Sequence, residues 1–187
     1  MRSAIAAGRD SARRTLGSRW LSLPLIALVL AGCAGMPPAP RPADELRLVI
    51  VRHAEKASAD DPDPELSAAG RQRAEALAQR LAGEQVLAIY STDLRRTRQT
   101  VAPTAAMHGL APRLYDPREP ASAFAARLLD AHRGGTVLVA GHSNTVPPIV
   151  AALCSCEADA MSEAEYDRIS TVRIGADGSA RLDTDRY

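Results

Sequence analysis

The sequence predicts an α/β fold: three layers, with a mostly parallel central sheet between two sheets of helices. Three observations carry that expectation. Residues 46–51, 86–90 and 136–140 are short runs rich in Val, Leu and Ile that lack the in-out alternation of a half-wet strand, so they read as strands buried on both faces. Segments with helical apolar spacing separate them, and such alternation calls for crossover connections between parallel neighbours. Finally, cationic and imidazole groups stand directly after the runs, where open α/β sheets hold their ligands.

Taken in order, the first 36 residues do not belong to the fold. Arg2, Arg9, Arg13, Arg14 and Arg19 form a positive leader, and residues 21–31 (LSLPLIALVLA) follow as an apolar run too short for a comfortable membrane span. The run ends in Leu30-Ala31-Gly32-Cys33, which resembles the lipobox of bacterial lipoproteins. That resemblance implies a signal peptide at residues 1–32, cleavage before Cys33 and lipidation of Cys33. The mature protein would then be anchored to a membrane without spanning it. It implies a periplasm-facing lipoprotein of the bacterial cell envelope, and Ala34 after the cysteine favours the outer membrane. Residues 33–43, with Met36 to Ala43 reading MPPAPRPA, form a proline-rich tether of extended character. The folded domain is expected at residues 44–187.

Within it, residues 46–51 form the first strand, which stops at Arg52-His53 and leaves through Ala54-Glu55-Lys56. Residues 60–65 (DDPDPE) are an acidic loop. Ser67 is the N-cap of a helix whose apolar positions are Ala74, Leu77, Ala78 and Leu81 and which ends at Gly83. The second strand, residues 86–90, gives way to Ser91-Thr92-Asp93 and a strongly basic helix that Pro103 is expected to kink or restart. A short third strand at 112–115 and a loop at 116–120 precede a helix at 121–132 with Phe124, Leu128 and Leu129 inward. Gly134-Gly135 introduces the strand at 136–140, followed by Gly141-His142-Ser143-Asn144 and a helix over 146–153. Residues 169–174 and 180–183, around a turn at Ala176-Asp177-Gly178, read as an edge hairpin.

Composition removes several functions. Net charge is +1 and aromatics make up 3%, so there is neither the basic stripe nor the stacking surface of a nucleic-acid binder. The four histidines, His53, His108, His132 and His142, are far apart in sequence and show no metal-ligand spacing with the three cysteines. No metal and no cofactor is expected. Cys154 and Cys156 flank a single residue, where a bridge would be strained, leaving reduced or intermolecular thiols open. No feature of the sequence sets an oligomeric state.

If the three strands run parallel, their ends bring Arg52-His53, Ser91 with Arg95-Arg96, and Gly141-His142 to one edge of the sheet. Two guanidiniums and two imidazoles make a cationic pocket, and a tetrahedral phosphate dianion is its natural guest. Helices beginning just after these ends add amide donors.

The ordered motifs then resemble those of the histidine phosphatase (phosphoglycerate mutase-like) superfamily. Val51-Arg52-His53-Ala54-Glu55 resembles its Arg-His-Gly signature, with Ala54 in place of glycine. Leu66-Ser67-Ala68-Ala69-Gly70-Arg71-Gln72-Arg73-Ala74 is similar to its Leu-Thr-x-x-Gly-x-x-Gln-Ala segment, with the Gln-Ala spacing altered, and Ser91 to Thr100 (STDLRRTRQT) to its Ser-Ser-Pro-Leu-x-Arg-Ala-x-Gln-Thr segment. Gly141-His142-Ser143-Asn144 looks like its second histidine motif. The compact size resembles the short phosphohistidine-phosphatase type. The resemblance implies that His53 is a nucleophile that becomes transiently phosphorylated, since a neutral imidazole is nucleophilic once its other nitrogen is fixed as a donor. It implies that Arg52 and Arg96 clamp the phosphoryl oxygens, that a protonated His142 donates to them, and that Asn144 lies on the phosphate. On a helix Arg95 and Arg96 point about 100° apart, and the register favours Arg96 in the pocket. For the leaving-group proton Glu119 is the candidate, with Asp116 and Glu55 as alternatives, and no acid at all is needed by a good leaving group. The reading is a metal-independent phosphatase acting on a small phosphorylated substrate, with a phosphate-binding envelope module of the same fold as the alternative. Substrate choice would rest with the loops at 57–65, 116–120 and 157–166.

Overall fold

The computed structural model describes residues 45–187. The leader at 1–32, Cys33 and the tether at 33–43 lie outside the described residues. Ten elements follow in order: β1 (Leu46–Arg52), α1 (Ala68–Leu81), β2 (Val86–Ser91), α2 (Arg95–His108), β3 (Arg113–Leu114), α3 (Ala121–Ala131), β4 (Gly135–Gly141), α4 (Val146–Cys154), β5 (Arg168–Ile174) and β6 (Ala180–Arg186). They build one six-stranded sheet in the order β3-β2-β4-β1-β5-β6. β1, β2, β3 and β4 pair in parallel, while β5 and β6 add an antiparallel hairpin at one edge.

The apolar runs alternate between two cores. On one face Leu48 and Ile50 of β1 and Val137 and Val139 of β4 pack against Phe124 and Leu128 of α3 and Ile149 and Leu153 of α4. On the other, Val49, Val51, Leu138 and Ala140 meet Leu77 and Leu81 of α1 and Val101 and Ala105 of α2. Continuous apolar strands are what a sheet covered on both sides demands. Each fully buried Val, Leu or Ile contributes roughly 1.5–3 kcal/mol.

Two junctions place the site. Ser67 caps α1, accepting from the Gly70 amide at 3.0 Å. Gly70 lies so close to the loop after β1 that a Cβ there would stand 2.3 Å from the Glu55 carbonyl oxygen. Glycine is needed there for that approach. Ala54 takes no left-handed conformation, since Ser155 is the one non-glycine with positive φ among the described residues. The backbone therefore accepts alanine where the family motif has glycine.

Three expectations are corrected. α2 does not start afresh at Pro103 but continues through it to His108, with Val101, Thr104 and Ala105 buried around it. β3 is reduced to two exposed residues, Pro112 having no N–H to offer a ladder, although Tyr115 still donates to the Ser91 carbonyl at 3.0 Å. Cys154 and Cys156 are joined in a disulfide: the left-handed turn at Ser155 (φ 51°) folds the chain back and brings their Cα atoms to 5.1 Å.

Candidate active site

Register makes the centre of the site. Arg52 of β1 stands opposite Gly141 of β4, and the His53 amide donates to the Gly141 carbonyl at 2.9 Å. The residues that follow, His53 and His142, are thereby side by side, with ring centroids 5.4 Å apart. β2 ends next to β4, and its continuation puts Thr92 Oγ1 3.1 Å from His142 Nε2. α2 then starts at once. Arg96 on its inner side is mostly buried and near enough to both imidazoles to depress their basicity. Arg95 points outward and pairs with Glu65.

His53 is 4% exposed, and its Nδ1–H donates to the Ala54 carbonyl at 2.8 Å, so Nε2 carries the lone pair. Burial, reinforced by His142, Arg52 and Arg96 and opposed by the Ala54 carbonyl, lowers its pKa to about 3. Position 54 is itself fixed: its amide donates to Thr100 Oγ1 at 2.9 Å, and that hydroxyl donates to the Arg96 carbonyl at 2.8 Å. Gln99 accepts from the Leu66 amide at 2.7 Å. The Gln-Thr pair of the α2 motif thus buttresses the loop that carries His53.

The role expected of His142 is that of a protonated donor to phosphate. Burial, with Arg96 and Arg52 adding and Glu163 opposing, lowers its pKa to about 4, so it is neutral at physiological pH in this structure.

Arg52 is 1% exposed and held by the loop between α4 and β5. Its Nη1 donates to the carbonyls of Ser162 (3.0 Å), Glu163 (2.8 Å) and Glu165 (3.0 Å), and its Nη2 to Glu163 Oε2 (2.8 Å). The Tyr166 ring lies 4.2 Å from its guanidinium carbon. Among the described residues Arg52 Nε and Arg96 Nε are buried without an acceptor. Buried N–H groups are rarely left unserved, and a tetrahedral oxyanion between two guanidiniums would serve both.

Each candidate acid is paired with an arginine. Glu119 pairs with Arg127 at 2.5 Å and lines a cleft of about 230 Å³ with Tyr115, Phe124, Asn144 and Thr145. Asn144 is exposed in that cleft and, among the described residues, makes no hydrogen bond to Arg52 or Arg96. Asp116 is exposed and gripped by Arg118, whose hydrogen bonds hold its carboxyl below the usual range. Glu55 is bound through both oxygens by Arg73, which lowers its pKa against the opposing effect of burial. Asp63 Oδ1 lies 3.9 Å from Arg96 Nη1, and the carboxylate hydrogen-bonded to the cluster is Glu163. Sequence reasoning marked its loop but not the residue: Glu157, Asp159, Glu163 and Glu165 look alike there, and 111 positions separate Glu163 from Arg52. Tyr166 was missed for the same reason of distance along the chain, whereas Thr92 and Ser143 lay inside the motifs at 91–100 and 141–144 without a role of their own. Thr100 lay inside a quoted motif, and that motif was the available signal. No three His, Cys, Asp or Glu side chains converge as metal ligands among the described residues.

Residues 48–119 match the model of the histidine phosphatase superfamily (branch 1). No curated protein matches the chain. Solved structures do. A protein histidine phosphatase SixA complexed with tungstate is 21% identical, with a TM-score of 0.63 over 75% of this chain and 96% of that one. A putative phosphohistidine phosphatase SixA from Nakamurella multipartitia is 25% identical, with a TM-score of 0.57 over 78% and 98%. Phosphoserine phosphatase from Entamoeba histolytica, in complex with 3-phosphoglyceric acid, is 17% identical, with a TM-score of 0.60 over 76% and 98%. The fold is the phosphoglycerate mutase-like three-layer fold.

Proposed function

We propose that this chain, a member of the histidine phosphatase superfamily, is a metal-independent phosphatase working through a phosphohistidine intermediate on His53. One observation carries the reading. His53 is neutral, its Nδ1–H is fixed on Ala54, and it stands beside two buried guanidiniums that each keep an unserved N–H. In the first step His53 Nε2 attacks phosphorus, the phosphorus–oxygen (or phosphorus–nitrogen) bond of the substrate breaks with its electron pair going to the leaving atom, and that atom takes a proton from water. In the second, water attacks, the phosphorus–Nε2 bond breaks, and the water proton leaves with solvent. Arg52 and Arg96 neutralise the phosphoryl oxygens in both, which is most of what phosphoryl transfer requires.

Glu119, Asp116 and Glu55 each being occupied by an arginine favours substrates with good leaving groups, such as phosphohistidine or aryl phosphates, over alkyl esters that depend on a general acid. The same observation supports the second reading, a phosphate-binding module without turnover. Phosphate release from a substrate panel, with chelator present and beside His53→Ala, decides between them. Turnover that vanishes in the variant supports the phosphatase. Absent turnover, with vanadate binding that needs Arg52 and Arg96, supports the module, and strict dependence on an added divalent ion sinks the metal-free mechanism.

The anchor remains a proposal from sequence: Cys33 carries acyl chains that hold the domain in the envelope, facing the periplasm. Labelling with a radioactive fatty acid should mark the protein, and Cys33→Ser should abolish the label.

A further inference from the structure

Arg52 does not need a carboxylate to hold it in place. Three backbone carbonyls take its Nη1, and the Tyr166 ring covers one face. Glu163 adds something different, a full negative charge. Its Oε2 accepts from Arg52 Nη2, while its Oε1 accepts from the hydroxyl of Ser143, the residue after His142. The carboxylate therefore bridges the end of β1 and the turn after β4, the two sides between which a phosphoryl group would lie. It is 79% exposed, so no packing obstructs its rotation away. The Ser143 hydrogen bond keeps its carboxyl below the usual range against the opposing effect of burial, with the Arg52 and Lys56 charges adding, and it is ionised at neutral pH.

We propose that Glu163 competes with the phosphate dianion for Arg52, weakening the site's hold on inorganic phosphate and so speeding its release. The inference rests on the phosphatase reading of the pocket. When the pocket is empty the carboxylate neutralises a guanidinium that would otherwise be buried with its charge uncompensated. When a dianion reaches Arg52 Nε it meets a like charge a few ångströms away, and either the anion is held weakly or Glu163 swings out. The three carbonyls keep the guanidinium positioned in either case. Glu163 is then a tuner of affinity acting on Arg52, and its effect has the opposite sign from that of a residue that merely supports Arg52.

That sign makes the test decisive. Binding of inorganic phosphate to the full chain and to Glu163→Gln is measured by titration calorimetry, with phosphate inhibition of turnover in parallel. Glutamine keeps the shape at an exposed position and removes the charge: its amide oxygen still accepts from Arg52 Nη2, and its NH2 donates to the Ser143 hydroxyl, which turns to accept. The expected result is a Kd for phosphate about tenfold lower in Glu163→Gln, the size of a unit charge against a dianion across a few ångströms of high dielectric, with the inhibition constant falling alike. An unchanged Kd overturns the competition, and a higher one shows instead that Glu163 supports Arg52. If neither protein binds phosphate or tungstate, the anion site itself is overturned and this inference with it; equal binding overturns only the role of Glu163.

Discussion

Thr100→Val tests whether α2 fixes the nucleophile loop through one hydroxyl. Thr100 is fully buried, and its Oγ1 is the acceptor for the equally buried Ala54 amide. Valine replaces the hydroxyl with a methyl of nearly the same volume, so packing persists while the amide loses its partner. The other bond of that hydroxyl, to the Arg96 carbonyl, costs little to lose, because that carbonyl belongs to the helical ladder of α2. A buried N–H left unsatisfied costs about 1–3 kcal/mol. Urea unfolding should therefore show a midpoint lowered by that free energy with an unchanged slope. Catalysis should suffer as well, since the Ala54 carbonyl orients His53 Nδ1: kcat should fall while phosphate affinity, set by Arg52 and Arg96, stays. Thr97→Val is the control. Thr97 is just as buried, but its hydroxyl partner Thr92 keeps His142 Nε2 as a second neighbour, so less than about 1 kcal/mol is expected. Equal costs for the two variants, or an unchanged kcat in Thr100→Val, would refute the buttress.

Stability should fall in acid through the two histidines. Their folded pKa values, about 3 for His53 and about 4 for His142, lie below the unfolded value near 6.5. The unfolded chain therefore takes up protons first, and stability that is complete above pH 6.5 is lost progressively towards pH 4, by up to about 1.4 kcal/mol per pH unit for each histidine. Urea midpoints from pH 7 to pH 4 should track this, and His142→Asn should flatten the slope. For the same reason kcat/KM should lack an acid limb near pH 6.5, the free enzyme's nucleophile being neutral well below it. Sulfate, a dianion throughout this range, should bind with proton uptake at pH 5–6, seen as buffer-dependent heats, because it offsets the Arg96 and Arg52 charges that depress His142. Gly70→Ala should destabilise by about 1–3 kcal/mol in a thermal melt, since the new Cβ would meet the Glu55 carbonyl oxygen at 2.3 Å and α1 must back away. Replacing Cys154 and Cys156 by alanine should cost no more than about 1.5 kcal/mol in unfolding free energy, the chain entropy of so small a loop being small.

The architecture was legible because burial on both faces leaves a mark in the sequence itself. Val49, Val51, Leu48 and Ile50 are all apolar because each meets a helix layer, and a strand with a wet face would have alternated. Gly70 was quoted as part of a motif, but the reason for it, the 2.3 Å approach to Glu55, belongs to a junction fifteen residues back along the chain. The boundaries that moved did so under tertiary control. Pro103 sits within α2 because its neighbours are buried, and the Cys154–Cys156 bridge forms because Ser155 adopts a left-handed turn that composition does not announce.

At the site, the residues that a strand end must carry were legible, and the residues that come back from elsewhere were not. Arg52, His53 and His142 announce themselves by following buried runs, and the parallel register of β1 and β4 turns that proximity to strand ends into proximity to one another. Protonation was not legible, because it depends on the sum of burial and neighbouring charge. His142, chemically suited to be a cationic donor, is neutral here beside Arg96 and Arg52. On the phosphatase reading such a pocket is poised: a dianion entering it would satisfy two buried N–H groups and raise the basicity of His142, making the imidazole a donor to that ligand. An ionised Glu163 competes for the same arginine, although its charge also favours protonation of His142. If the proposed phosphatase reading holds, the balance between them, more than the presence of any one residue, sets how tightly the site holds phosphate before letting it go.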